Sequence, residues 1–325
     1  MSSKTGTYVL VIGGAGAIGS NLVRRLLTEN YRVAVFTLPG PDLVRMEYDA
    51  LKDKVELIIE DLTMPGAIRK AITRLQPEIV YHLASLVWAR VPGLGDEEHL
   101  KVTGLGTMHL LEALKDRPET RIVFTGSAAV YGPGALLKEN APIIPNTVFG
   151  ACKASASILL QTYARIYGLS TVELRFFMPY GPWEHPHRLI PQAILSALAK
   201  HDLSMTSGEQ KRDPIYIDDV VEALILAGTK NVKAGSVFNI GSGQAIPVKD
   251  MVQDIFGLMG NPAKPLFGKL PMRPDEIMEM SADVSAAREQ LGWQPRISLT
   301  EGLTKTIAWW KEHRDFAERI TAASK

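Results

Sequence analysis

The stretch Tyr8-Val9-Leu10-Val11-Ile12-Gly13-Gly14-Ala15-Gly16-Ala17-Ile18-Gly19-Ser20 decides the fold. Val9–Ile12 is apolar and largely β-branched, the signature of a short buried strand. Glycines then stand three apart at 13, 16 and 19. Across Ser20–Thr28, Leu22, Val23, Leu26 and Leu27 recur at helical spacing. Glycine lets the backbone turn tightly and approach a pyrophosphate with no Cβ in the way. The helix that follows offers unpaired N–H groups and a partial positive charge. Spaced glycines alone also mark ordinary turns, but between a strand and a helix they point to dinucleotide binding. Gly13, Gly16, Ala17, Ile18 and Gly19 are therefore the first candidate cofactor residues.

Working outward, the same alternation continues. Arg32–Phe36, Val55–Ile59, Ile79–Leu83, Arg121–Thr125 and Thr171–Phe176 read as further strands, with helices predicted over Leu105–Leu114 and Ser155–Tyr167. Near-continuous apolar strands separated by amphipathic helices are what a parallel sheet needs when helices cover both faces. The expected fold is α/β, a doubly wound parallel (Rossmann) sheet with a smaller C-terminal substrate-binding domain. After Phe176 the texture changes. Pro179, Pro182, Pro186 and Pro191 interrupt a stretch that also carries Trp183, His185 and His187, as in a loop region over strand ends. Helical patterns return at Leu189–Ala199, Asp218–Ala227, Lys249–Leu258 and Leu299–Glu312. Residues 1–176 are expected to hold the dinucleotide. Residues 177–325 are expected to bind mainly substrate, with some segments returning to the sheet.

Composition narrows the function classes. The chain has 325 residues, 46% hydrophobic, and its 36 Lys plus Arg against 35 Asp plus Glu leave a net charge of +1. That balance argues against a nucleic-acid binder, which carries a basic excess or stripe. The single cysteine, Cys152, excludes an intramolecular disulfide framework. Met1–Thr7 is short and polar, unlike a secretory signal, and the run Tyr8–Ile12 is far too short to span a membrane. The expectation is a soluble cytoplasmic globular protein with no nucleic-acid or membrane partner.

The residue that selects the cofactor is unusual. A carboxylate at the end of the second strand would bond the adenosine ribose and select NAD. Here Phe36 is followed by Thr37, then Leu38-Pro39-Gly40. Thr37 can still bond a ribose hydroxyl, and nothing there would repel a 2′-phosphate. Arg45 reads either as a partner for such a phosphate or, more simply, as a solvated helix charge. NAD and NADP both stay open. Asp61, after the third strand, reads as an acceptor for the adenine amino group or as a cap for a helix from Met64 onward.

Taken together, these segments resemble the extended short-chain dehydrogenase/reductase family, in particular its nucleotide-sugar epimerases and reductases. The resemblance runs from about Tyr8 to about Trp310. It rests on the Gly13, Gly16 and Gly19 pattern, Asp61-Leu62, Tyr81-His82-Leu83-Ala84, Gly106-Thr107 and Ser127-Ala128-Ala129-Val130-Tyr131-Gly132. It continues through Gly150-Ala151-Cys152-Lys153, Tyr180-Gly181-Pro182, Arg212-Asp213, Arg273-Pro274-Asp275 and Leu291-Gly292-Trp293. The resemblance implies cofactor contacts from Leu62, Leu83, Ala84 and Lys153, and a hydride moved between a sugar carbon and NAD or NADP. It implies that Ser127 bonds the reacting oxygen, while Lys153 holds the ribose and lowers the pKa of a tyrosine that transfers the proton. It also implies a homodimer joined through helices Leu105–Leu114 and Ser155–Tyr167, with Ile158, Leu159 and Ile166 available to the core or the interface.

The tyrosine position is Phe149, whose ring has no titratable atom, so the chain is expected to bind a sugar nucleotide but to turn it over slowly or not at all. Tyr131 is near in sequence, but the resemblance gives it a structural role. Thr103 stands where many relatives have asparagine, and Met178 stands where a ligand-touching asparagine is common. Ala128 and Ala129 lack the acidic neighbour that a dehydratase needs for its second proton. Arg212 and Arg273 suit a nucleotide-diphosphate sugar, since arginine's planar fork matches phosphate oxygens. A surface ion pair, for instance Arg212 with Asp213, is the plainer alternative. His185 and His187 lack the further ligands of a metal site. The leading expectation is a nucleotide-sugar epimerase that oxidises and re-reduces one carbon, C4 for preference, with Phe149 at the catalytic tyrosine position. The alternatives are an NADP-linked ketoreductase and a catalytically silent nucleotide-binding protein.

Overall fold

The computed structural model describes residues 6–38, 40, 43–86, 95–273 and 276–323. Pro39, Pro274, Asp275 and the start of the Met1–Thr7 segment lie outside them. Seven parallel strands form the central sheet: β1 Tyr8–Ile12, β2 Arg32–Thr37, β3 Glu56–Ile59, β4 Ile79–His82, β5 Arg121–Ser127, β6 Thr171–Phe176 and β7 Ser236–Ile240. Their spatial order is β7-β6-β5-β4-β1-β2-β3. The strand order reverses between β1 and β4, which pair directly from Val9↔Ile79 to Ile12↔His82. Such a reversal leaves a crevice at the carboxyl ends of the strands, where α/β sheets take ligands.

The sheet is buried on both sides, which explains its unbroken apolar strands. In β1, Val9 and Val11 join one core, while Leu10 and Ile12 join the other. The first core takes Leu22, Val23 and Leu26 from helix α1 Ala17–Thr28. The second takes Ile72 and Leu75 from α2 Ala67–Leu75, Leu110 and Leu114 from α3 Gly106–Leu114, and Leu160 from α4 Val148–Tyr167.

The α/β doubly wound fold is as expected, with several boundaries moved. Helix α1 begins at Ala17 rather than Ser20, because the Ser20 N–H already donates to Gly16 O at 2.8 Å. Helix α4 begins at Val148 rather than Ser155, since the Thr147 hydroxyl caps it by accepting from Gly150 N at 3.0 Å. A π-helical stretch, Leu100–Leu105, runs into α3, so the helix there is longer than Leu105–Leu114. Strand β7 was not expected. It pairs in parallel with β6 from Ser236↔Val172 to Ile240↔Phe176 and buries Phe238 and Ile240. Beyond β6, helices α5 Leu189–Leu198, α6 Ile217–Thr229, α7 Val248–Leu258, α8 Leu299–Glu312 and α9 Arg314–Ala323 complete the chain. The short strands Met178–Tyr180 and Pro214–Tyr216 pair beside them. No helix among the described residues is long and apolar enough to cross a membrane.

Candidate active site

The glycine loop sits at the carboxyl end of β1. Gly13 N–H donates to Phe36 O at 2.7 Å, which ties the loop to β2. Gly13 has φ +79°, and a Cβ there would come within 2.8 Å of Ala84 N. Both facts demand glycine. A Cβ on Gly19 would run into Gly13 O, so helix α1 meets its own loop too closely for any side chain. At Gly16 the situation is different. A Cβ there would meet within 4 Å only Gly13 O, at 3.3 Å. Space is thus kept at the N-terminus of α1, whose first N–H groups have no partner within the helix.

The other expected cofactor residues gather at the same edge. Leu83 N–H donates to Ile12 O at 2.8 Å, placing Leu83 and Ala84 against the loop. Thr37 is buried at the end of β2, its hydroxyl donating weakly to Leu38 O at 3.4 Å. Asp61 Oδ1 accepts from both the N–H and the hydroxyl of Thr63, at 2.7 and 2.8 Å. That is the capping geometry, although α2 itself starts at Ala67 rather than Met64. Leu62 is buried and packs where α3 has Gly106, whose Cβ would lie 2.8 Å from Leu62 Cδ2. Arg45 is not a solvated charge. It is buried, and its Nε donates to Trp183 O at 2.7 Å, which directs it into the C-terminal half of the chain.

The positions expected to be catalytic lie on β5 and α4. Ser127 ends β5, and its Oγ accepts from Ala129 N at 3.1 Å. A Cβ on Gly150 would collide with Ala129 O, so α4 can approach the Ser127 turn only because that residue is glycine. This contact sets Phe149 and Lys153, one helical turn apart on α4, beside Ser127. Lys153 is 3% exposed, and its Nζ donates to Thr125 O at 2.6 Å. The ammonium stands 4.8 Å from the Phe124 ring centroid and 5.9 Å from that of Phe149. Burial lowers its pKa from the ordinary 10.5 to about 7, partly offset by the charge of Glu173.

Thr103, the replacement for asparagine, is buried in a chain of side chains. Its hydroxyl lies 3.1 Å from Ser85 Oγ, and its carbonyl accepts from Thr107 Oγ1 at 2.5 Å. Since Thr107 gives its proton there, His82 Nε2 donates to Thr107 Oγ1 at 2.9 Å. His82 Nδ1 then carries no proton, and burial pushes the ring's pKa down to about 3.

Behind Ser127 lies a buried network that the sequence reading missed. Arg175 Nε pairs with Glu173 Oε1 at 3.0 Å, and its Nη1 donates to the Tyr131 hydroxyl at 2.7 Å. Tyr131 donates in turn to Asn239 Oδ1 at 2.9 Å. With its proton and a lone pair both committed, Tyr131 cannot stand in for the missing tyrosine. Glu173 and Arg175, two residues apart in the otherwise apolar strand Thr-Val-Glu-Leu-Arg-Phe, were the available signal. Charges at that spacing share one face of a buried strand and must be paired there.

The expected substrate residues lie on the C-terminal half. Met178 starts a short strand, half-buried. Arg212 pairs not with Asp213 but with Glu276, and its Nη1 donates to Ile277 O at 2.6 Å. Arg273 meets the same Glu276 at 2.8 Å, so the two arginines converge on one carboxylate. Asp213 instead accepts from Ser242 N–H, Gly243 N–H and Ala282 N–H, which ties the loop after β7 to the segment 280–282.

A glycine cradle at the switch point of a Rossmann sheet, with serine, an aromatic residue and lysine beside it, defines a dinucleotide-binding protein of the short-chain dehydrogenase/reductase class. The chain belongs to the NAD dependent epimerase/dehydratase family, whose profile matches residues 9–241. It is similar to a UDP-glucose 4-epimerase from Mycolicibacterium smegmatis, 29% identical and spanning 93% of this chain and 98% of that protein. A dTDP-glucose 4,6-dehydratase from Neisseria meningitidis is 28% identical, over 97% and 96%. Among solved structures, the UDP-glucuronic acid 4-epimerase of Bacillus cereus, in complex with UDP-glucuronic acid and NAD, has a TM-score of 0.85 and 27% identity. That match covers 94% of this chain and 99% of the other.

Proposed function

We propose that this chain is an NAD-dependent epimerase that inverts C4 of a nucleotide-diphosphate sugar, with Phe149 at the position of the proton-transferring tyrosine. The observation that supports the reading is the packing of α4, which carries Phe149 and Lys153, on the Ser127 turn, at the same carboxyl end of the parallel sheet as the Gly13–Gly19 loop. In it, residues 1–176 hold the dinucleotide and residues 177–325 mainly the sugar nucleotide. Gly16, Ala17 and Ile18 present the α1 N-terminus to the pyrophosphate. Thr37 and Asp61 border the adenosine, with Leu62, Leu83 and Ala84 as apolar walls. NAD, when bound, supplies the hydride acceptor and donor. Ser127 orients the sugar oxygen, and Lys153 faces the nicotinamide ribose. Arg212 and Arg273 can exchange their shared Glu276 for diphosphate oxygens, a stronger partnership for a planar guanidinium. Met178 forms an apolar wall to the sugar.

Two features favour epimerisation over its rivals. Ala128 and Ala129 supply no acid beside Ser127 for eliminating water. The burial of Arg45 removes a cation that an NADP 2′-phosphate would use, favouring NAD. We further propose a homodimer through α3 and α4, where Met108, Ile158 and Ile166 are exposed while Leu159 packs inward. The test is to weigh the cofactor released from purified protein, then to incubate the protein with UDP-, dTDP-, GDP- and CDP-sugars. NAD and a C4 epimer are expected. A 4,6-dehydrated product, or binding of none of these sugars, would overturn the reading.

A further inference from the structure

A site without its tyrosine hydroxyl needs another group to carry the sugar's proton, and most nearby candidates are already committed. Phe149 has no titratable atom. Tyr131 is tied to Arg175 and Asn239. In the reading above Ser127 Oγ, which accepts from Ala129 N, orients the sugar oxygen, and Lys153, whose Nζ donates to Thr125 O, holds the ribose. Among the described residues, two titratable side chains have ring contacts with Phe149: Lys153 and His99.

His99 lies at the end of the short helix Asp96–His99, immediately before the π-helical stretch Leu100–Leu105. A π-helical turn departs from regular helix geometry and occurs frequently at functional sites. The imidazole is 8% exposed, and its ring centroid is 6.3 Å from that of Phe149, edge-on at 78°. At that separation the two rings touch. His99 Nδ1 is buried and has no hydrogen-bond partner among the described residues. A buried polar atom without a partner costs free energy, so an orphan at a ligand site marks the place of a ligand group. Imidazole is also the side chain whose ordinary pKa permits both taking and giving a proton near neutrality. Its own short helix contributes Asp96, Glu97 and Glu98, the π-helical turn after it contributes Lys101, and Lys153 of α4 stands against the same Phe149 ring.

We propose that His99 is the proton-transfer residue of this site, in place of the hydroxyl that Phe149 lacks. This rests on the epimerase reading above and adds the residue that makes it workable. In the first half-reaction the sugar O–H bond breaks and its proton passes to the His99 imidazole. NAD, when bound, would accept the C4 hydrogen with its electron pair, and the sugar would be left as a ketone. In the second half, the pair returns to the opposite face of C4 and His99 returns the proton to oxygen. No net oxidation remains.

The test compares the chain as it stands with His99→Gln and with His99→Gln, Phe149→Tyr, using UDP-glucose, UDP-glucuronate, dTDP-glucose and GDP-mannose. Calorimetry gives the affinity, and chromatography of the epimers gives the turnover. The expected result is a loss of about 10²-fold or more in kcat for His99→Gln, an affinity within threefold, and recovery of turnover when Phe149→Tyr is added. In the unsubstituted protein, NMR of the histidine ring signals should show the His99 titration move when NAD and the bound sugar nucleotide are added; this readout does not depend on whether the variant folds. Unchanged kcat in His99→Gln, no rescue by Phe149→Tyr, a His99 signal indifferent to the ligand, or binding without any turnover by the unsubstituted chain would each overturn the proposal while leaving the sugar-nucleotide reading in place. Failure to bind any of the four would overturn that reading and this inference with it.

Discussion

Lys153 offers a quantitative test of how the site is built. Its side chain is 3% exposed and donates to Thr125 O. Burial brings its pKa from 10.5 to about 7. Between those two values the unfolded chain holds a proton that the folded chain lacks. Raising the pH therefore favours folding across that window, and the contribution is lost as pH falls toward 7. Each pH unit is worth about 1.4 kcal/mol for one such group, so the whole window is worth roughly 4–5 kcal/mol. From pH 7 to pH 9 the share is about 2–3 kcal/mol. The measurement is urea unfolding at pH 7, 8 and 9 for the unsubstituted chain and for Lys153→Met, which keeps the apolar stem. Effects of all other groups are common to both proteins and cancel in the difference. The unsubstituted chain should gain stability over Lys153→Met as the pH rises. Parallel pH profiles would refute the burial argument and show that the ammonium stays charged in the fold.

Other perturbations follow from single contacts. Gly16→Val places its Cβ near Gly13 O alone, so melting should change little while bound dinucleotide is lost; retained cofactor in that variant would sink the cradle assignment. Gly150→Ala drives a Cβ onto Ala129 O and should cost about 1–3 kcal/mol as α4 is pushed from the Ser127 turn, with an unchanged urea midpoint counting against that packing. Glu184 is pushed from 4.5 to about 7 by burial, against the opposing pull of Arg188. The folded chain keeps a proton there that the unfolded chain releases, so stability should fall as pH rises from about 4.5 to about 7. Glu184→Gln should flatten that fall in melting temperature, and an identical slope in both proteins contradicts it. Ile158→Glu with Ile166→Glu should convert the expected dimer to monomer in light scattering, whereas an unchanged mass would place the interface elsewhere.

Much of the fold was legible because the sheet is covered on both faces. Val9 to Ile12 and Thr171 to Phe176 are apolar at nearly every position, and such runs stand out from the amphipathic helices between them. Strand β7 was not read from the sequence because Ser236–Ile240 stands apart from the strand–helix alternation that ends at Phe176; only its pairing with β6 makes it part of the sheet. The Arg45 reading failed for a related reason. A charged residue on a helix is usually solvated, and nothing local announces that Trp183, 138 residues later, will cover it.

By itself the sequence determined the parallel α/β plan, the glycine loop at Gly13–Gly19 and the family signature through Ser127, Phe149 and Lys153. These are encoded locally, by the periodicity of apolar residues, by the absence of a Cβ and by motifs of a few residues. The tertiary structure alone decided which partners those residues meet. It gave Arg212 and Arg273 a common carboxylate in Glu276, closed Tyr131 into the network with Arg175 and Asn239, and set His99 against Phe149. Apart from the local pair Arg273–Glu276, each of those contacts joins residues far apart in the chain or on different elements, where burial and hydrogen bonding choose the partner and no local pattern records the choice.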